Sequence, residues 1–148
     1  MVSQTAGKYN KREQTNHVIN ELLDERSQVW SLYCSAAGME PLRPEKTIED
    51  LVQEFCQLSV DYISLGHFGL YQRILDGNER RKAVVEVAEK IYPQIAKATE
   101  AVLNFNDKYQ TLTPAMILNQ LSGDLSDVGE QLATRIELED QLIETMTA

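Results

Sequence analysis

The stretch Phe55–Leu75, FCQLSVDYISLGHFGLYQRIL, decides how this chain folds. It is the densest apolar run in the sequence, yet it carries Asp61, Tyr62, His67, Tyr71 and Arg73. At helical spacing it has no single apolar face. Phe55, Ser59, Tyr62, Gly66 and Leu70 share one side. Leu58, Asp61, Leu65 and Phe68 share a second, and Val60, Ile63, His67, Tyr71 and Ile74 a third. A helix that is apolar almost all round is central in its domain or shared between a core and a partner. The rest of the chain has enough apolar surface to cover only part of it, which is the first pointer to binding. Gly66 and Gly69 predict close packing or a local distortion, with packing preferred, because glycine inside a helix costs roughly 1 kcal/mol against alanine.

Working outward, Thr47 followed by Asp50 resembles a capping box with Asp in the usual place of Glu, so this helix starts there. It ends near Asp76-Gly77-Asn78. Before it, GMEPLRPEK at 38–46 breaks the chain with two prolines. Val18, Ile19, Leu22, Leu23, Val29, Trp30, Leu32, Tyr33 and Ala37 keep a three-to-four spacing, which predicts a first helix over about 15–37, ended by Gly38. Residues 1–14 are polar and read as a flexible N-terminal arm or a frayed helix start, leaving 15–148 as one helical domain. Val84, Val87, Ile91, Ile95, Ala98, Val102, Phe105 and Tyr109 mark a third helix from about Glu79, and Pro93 must kink or split it. Thr113-Pro114 suits the start of a fourth, whose seam is Leu118, Leu121, Leu125, Val128, Leu132, Arg135, Glu139, Leu142 and Met146, with Ser122-Gly123 a possible interruption. No strand pattern stands out. The fold class is all-α: an antiparallel four-helix bundle with a kinked or split third helix.

Composition narrows the function. The chain has 148 residues, 43% hydrophobic and 25% charged, and can bury a core without staples. Its formal net charge of −9 argues against general binding to nucleic acid or anionic membrane. From Asp124 to Ala148 seven acids face Arg135 alone, either a solvated helix face or a surface for a basic partner. Cys34 and Cys56 lie inside helical patterns without metal or disulfide spacing. The polar start is unlike a signal peptide, and no apolar run approaches the ~18 residues of a membrane span. A cytoplasmic protein with reduced thiols is the simplest expectation.

Catalytic patterns are missing. A carboxylate-bridged di-iron site in a bundle needs Glu-x-x-His pairs, but Gln14 precedes His17 and Ser64 precedes His67 at that spacing. There is no phosphate-cradling glycine loop and no nucleophile elbow. Neither a metal nor a cofactor is expected. Arg26 falls on or beside the apolar stripe of the first helix, either snorkelling or reaching inward to a carboxylate. Arg135 and Glu139 occupy seam positions four apart, either paired at the bundle edge or part of a polar cluster with Arg26, Asp61 and His67. Asp61 lies among Leu58, Leu65 and Phe68. On a buried face it needs a cation such as Arg26 or Arg135. On an open face, the preferred alternative, it anchors a basic amphipathic partner.

These residues carry a family resemblance. FCQLSVDYISLGHFGLYQRIL and LSDVGEQLATRIELEDQLIE (Leu125–Glu144) resemble the two signature blocks of the regulator of sigma D family, Rsd/AlgQ. Thr15–Gly38 and KIYPQI at Lys90–Ile95 are similar to it more weakly. The resemblance implies an all-helical anti-sigma factor without enzymatic activity. It implies binding to the C-terminal, promoter-recognising domain of the primary sigma factor, hindering contact with the −35 element and with core polymerase. Asp61 matches a family aspartate implicated in sigma binding; Tyr62, His67, Phe68 and Tyr71 match the same block. Arg135, Glu139 and Asp140 match the C-terminal block, and Arg26 matches a first-helix arginine. Where the family often has Asp-Arg-Trp-Leu, this chain has Asn20-Glu21-Leu22-Leu23, so the first helix resembles it least. The expected partner-binding set is Leu22, Arg26, Leu58, Asp61, Leu65, His67, Phe68 and Tyr71, with Arg135 and Glu139 as a polar cluster. The free protein is expected as a monomer or weak homodimer. Two other classes stay open: a signalling adaptor of the same fold with a different protein partner, and a small enzyme or metal protein using the polar cluster.

Overall fold

Stretches of helix-forming sequence, parted by glycine and proline, become four long helical segments in the structure, a computed structural model that describes residues 4–38, 47–111 and 114–148. They are α1 (Gln4–Ala36), a composite second segment, α4 (Lys82–Thr111) and α5 (Pro114–Thr147). The composite consists of α2 (Ile48–Gly66), a π-helical turn (His67–Tyr71) and α3 (Gln72–Leu75). Among the described residues there is no strand. The proline turn before Thr47 and the Thr113 cap lie outside the described residues, as does the side chain of Leu118.

Contacts between the segments give the topology. Tyr33 meets Phe55 while Thr15 meets Arg73, so α1 and the composite run in opposite directions. Phe55 meets Phe105 and Tyr71 meets Tyr92, so the composite and α4 are antiparallel too. Tyr109 bonds Asp124 and Arg81 bonds the Met146 carbonyl, and the same holds for α4 and α5. Arg26 reaches Asp140 and Tyr33 reaches Leu125, which closes the ring with α5 against α1. This is the up-down-up-down bundle that the spacing predicts.

Local signals explain most boundaries. Thr47 Oγ1 accepts a hydrogen bond from the Asp50 N–H at 3.1 Å, the expected cap. Gly38 and Gly77 take φ of +75° and +84°, the left-handed conformation that ends α1 and α3. Three boundaries differ from expectation. The expected arm is helical from Gln4, because Gln, Lys, Arg and Glu form helix without an apolar stripe to reveal it. The third helix is not split: α4 runs unbroken through Pro93, and α5 runs unbroken through Ser122-Gly123. The interruption falls in the second segment instead.

That interruption resets the helix. The Gln72 N–H donates to the His67 carbonyl, five residues back, so the turn holds one residue more than an α turn. Each residue advances an α-helix by about 100°. At regular spacing Arg73 falls in line with Phe55, Tyr62 and Gly66, and Tyr71 points away. The extra residue rotates the rest of the segment back, so Tyr71 and Ile74 enter the core at 1% and 2% exposure. Arg73 leaves it, and its Nη1 donates to Thr15 on α1.

The core is one continuous cluster. At one end Trp30, Tyr33, Phe55, Phe105 and Tyr109 form a chain of aromatic contacts. Tyr33 lies directly over Gly129, where a Cβ would collide with its ring, and donates to the Leu125 carbonyl at 2.9 Å. Gly129 was not singled out from the sequence, although a glycine in mid-helix is the signal that finds such an approach.

Candidate functional site: a buried polar network beside an open helix face

Arg135 and Glu139 sit on the apolar seam of α5, and the bundle closes over both. They are 1% and 0% exposed. The edge position, one of the two arrangements open from the sequence, is therefore ruled out. A buried charge is tolerated only with partners, and Glu139 has several. Its Oε1 accepts from Tyr62 OH at 2.7 Å, and its Oε2 from Tyr71 OH at 3.2 Å. Arg26 Nη1 reaches the same carboxylate at 3.5 Å and pairs with Asp140 at 2.7 Å. Arg26 thus reaches inward to carboxylates. Arg135 Nη1 donates to Thr99 Oγ1 on α4, and the guanidinium lies over the rings of Tyr62 (5.2 Å) and Tyr71 (5.7 Å).

The electrostatics follow from burial. It pushes the Glu139 carboxyl up, against the pull of Arg135, Tyr62, Arg26 and Tyr71. Burial, then Glu139, pushes the hydroxyls of Tyr62 and Tyr71 far above their usual range, so both remain hydrogen-bond donors. Burial alone would lower the Arg26 guanidinium, but its bond to Asp140 and that carboxylate's charge outweigh it. Two cations and two carboxylates make the network neutral. Gly66 is what lets α2 approach it: a Cβ there would stand 2.9 Å from Arg135 Nη2. Both expectations for the glycine pair are met, since Gly69 packs on Val18 and also lies in the π turn.

The second face of α2 is open. Asp61 is exposed, Phe68 is 68% exposed, and Leu58 and Leu65 are half-buried. Among the described residues no cation pairs with Asp61, so the salt bridge to Arg26 or Arg135 that a buried face required is not formed. His67 is half-buried, its ring edge-on to Phe68 at 4.9 Å. Acids of α1 adjoin this face. Burial raises the Glu25 carboxyl, and Asp61 and Glu21 raise it further. The acids on α1 were not singled out from sequence, because helical spacing relates positions within one helix and not across two.

Two residues expected at the partner surface are elsewhere. Leu22 is fully buried, packed against Gly66, and Tyr71 is 1% exposed on Glu139. The reset at the π turn puts Tyr71 inside, and α1 packs Leu22 inward, so neither can touch a docked molecule directly. Arg26 is largely engaged by Asp140, with 16% of its side chain exposed. Leu58, Asp61, Leu65 and Phe68 come together at the surface with His67 at their edge. Neither His67 nor Asp61 joins the hydrogen bonds around Glu139, so the cluster is Arg26, Tyr62, Tyr71, Thr99, Arg135, Glu139 and Asp140.

Among the described residues no group of three or more His, Cys, Asp or Glu side chains could hold a metal ion, and no helix is long and apolar enough to cross a membrane. Residues 1–147 match the family described as "Regulator of RNA polymerase sigma(70) subunit, Rsd/AlgQ". The chain is 32% identical over 134 residues to a "Regulator of sigma D" of Yersinia enterocolitica, covering 88% of this chain and 80% of that protein. It is 32% identical over 132 residues to a "Regulator of sigma D" of Salmonella newport, covering 87% and 81%. No solved structure matches the chain.

Proposed function

The chain belongs to the Rsd/AlgQ family of regulators of the RNA polymerase sigma(70) subunit, and from that premise we propose that it binds the C-terminal, promoter-recognising domain of the primary sigma factor through the open face of α2. The observation that carries this reading is Asp61, an exposed acid without a cationic partner among the described residues, framed by Leu58, Leu65 and Phe68. A domain that reads DNA is basic. Its phosphate-contacting arginines and lysines suit Asp61 with Glu21 and Glu25 around it, while the apolar frame supplies affinity. Occupying that domain withholds it from the −35 element and from core polymerase. The action is stoichiometric, in the cytoplasm, and involves no turnover. Phe68 is the apolar anchor, Leu58 and Leu65 the apolar border, and His67 holds the Phe68 ring edge-on. Leu22 and Tyr71 act from inside the bundle by fixing α1 and the π turn behind this face.

Isothermal titration against the isolated C-terminal domain of the primary sigma factor tests this, with wild type beside Asp61→Ala. The expected result is a 1:1 complex, weakened by about 2 kcal/mol or more in the variant, the size of an interface hot spot. Binding unchanged in the variant removes the assigned face. No binding by wild type at micromolar concentration and low salt removes the sigma domain as partner and turns attention to an adaptor role, toward which the Asn20–Leu23 departure on α1 points.

A further inference from the structure

We propose that the cleft between the π turn and α4 is a binding site for a small oxyanion, a phosphate or a short carboxylate, with Arg135 as its floor. The cleft has a volume of about 240 Å3 and is lined by His67, Tyr71, Tyr92, Ile95, Thr99 and Arg135 among others. At roughly 30 Å3 per water, that space holds one tetrahedral oxyanion with its residual hydration. It is separate from the open face, since Leu58, Asp61 and Leu65 do not line it.

The argument starts from the donors of Arg135. The side chain is 1% exposed, yet its Nε and Nη2 have no hydrogen-bond partner. Buried guanidinium donors are costly to leave empty. Nε–H and one Nη2–H lie along the same edge of the planar group, the fork that matches two oxygens of a carboxylate or phosphate. The nearest acid does not take this edge. Glu139 Oε2 stays 3.7 Å from Nε, beyond hydrogen-bond distance, and accepts from Tyr71, while Oε1 accepts from Tyr62. Glu139 also does not line the cleft. Tyrosine rings cover the guanidinium faces and Thr99 takes Nη1, so the free edge is what remains for a ligand. Glycine at 66 keeps the Nη2 side clear, because a Cβ would stand 2.9 Å away. The π turn places His67 at the rim as a further nitrogen donor, and such turns recur at functional sites. Ile95 and Tyr92 add an apolar wall for the body of a small organic acid.

The test is a titration of the full-length protein with inorganic phosphate and, separately, with acetate. Ionic strength is held constant with sodium chloride, and the Arg135 Nε–H and backbone amides are followed by NMR. Wild type is compared with His67→Ala and with Ala96→Asp, which puts a carboxylate on the cleft wall at an exposed position of α4 that the bundle can tolerate. Saturable shifts at Arg135 and across His67–Tyr71 with either anion are expected. The affinity should fall roughly fivefold in His67→Ala and roughly tenfold in Ala96→Asp. Saturation by phosphate alone, acetate alone or both supports the site and names its ligand class. The absence of saturable shifts with both anions, or equal affinities in all three proteins, overturns it.

Discussion

At the scale of single residues, Glu139 is the position on which most depends. It receives two tyrosine hydroxyls and lies against two guanidinium groups inside the bundle. Glu139→Ala leaves Arg135 buried without its counter-charge and both hydroxyls without an acceptor. The expected loss is about 3–5 kcal/mol, seen as a lower urea midpoint. A midpoint within a few tenths of a molar of wild type would show that the network contributes no stability. Cys56 makes a second test. Burial pushes its thiol up from 9.0 to about 12. An unfolded chain gives up that proton near the ordinary value, so the thiol's contribution to stability is intact below pH 9 and is lost as pH climbs towards 12. At pH 8 a thiol reagent should modify the half-buried Cys34 and spare Cys56 until the protein unfolds. Equal rates at the two cysteines would contradict the packing around α2.

At the scale of elements, the π turn is the feature that organises the site. It swaps Arg73 for Tyr71 in the core, aims Tyr71 at Glu139, and leaves Phe68 outside. Deleting Gly69 should restore regular α-helical spacing and turn every later residue of the segment by about 100°. Arg73 then points into the bundle and Tyr71 out of it. The expected cost is about 3–5 kcal/mol, the size for a large aromatic lost from a core, with near-ultraviolet circular dichroism reporting the tyrosine's release. An unchanged spectrum and midpoint would mean that the extra residue is dispensable.

For the whole molecule, charge and shape act together. The net charge of −9 and the acids around Asp61 should speed encounter with a basic domain, so the association rate should fall as salt rises, with dissociation little changed. Phe68→Ala separates folding from binding. A side chain that is 68% exposed contributes little to stability, within about 0.5 kcal/mol, whereas loss of an interface anchor costs about 2 kcal/mol of affinity. Thermal unfolding and titration of the same variant check both halves. A variant that binds as wild type does removes Phe68 from the interface.

Helix identity was written in the sequence, because caps, glycine stops and three-to-four spacing act within a few residues of where they are read. Thr47, Gly38, Gly77 and the α4 stripe each did so, and the polar start of α1 escaped for want of a stripe. Also legible was the outward-facing row of Leu58, Asp61, Leu65 and Phe68, since helical geometry relates those positions to one another. The sequence left open which neighbour covers each face. Arg135 and Glu139 could have stood at the bundle edge, and only packing against Tyr62, Tyr71 and Thr99 put them inside. Leu22 and Tyr71 read as surface candidates, and the tertiary structure buried both. The π turn carries no mark in composition, because one extra residue in a turn is selected by what later side chains gain in the core. Periodicity is a property of one segment; burial and pairing are properties of several segments meeting, and they exist only once the bundle has closed.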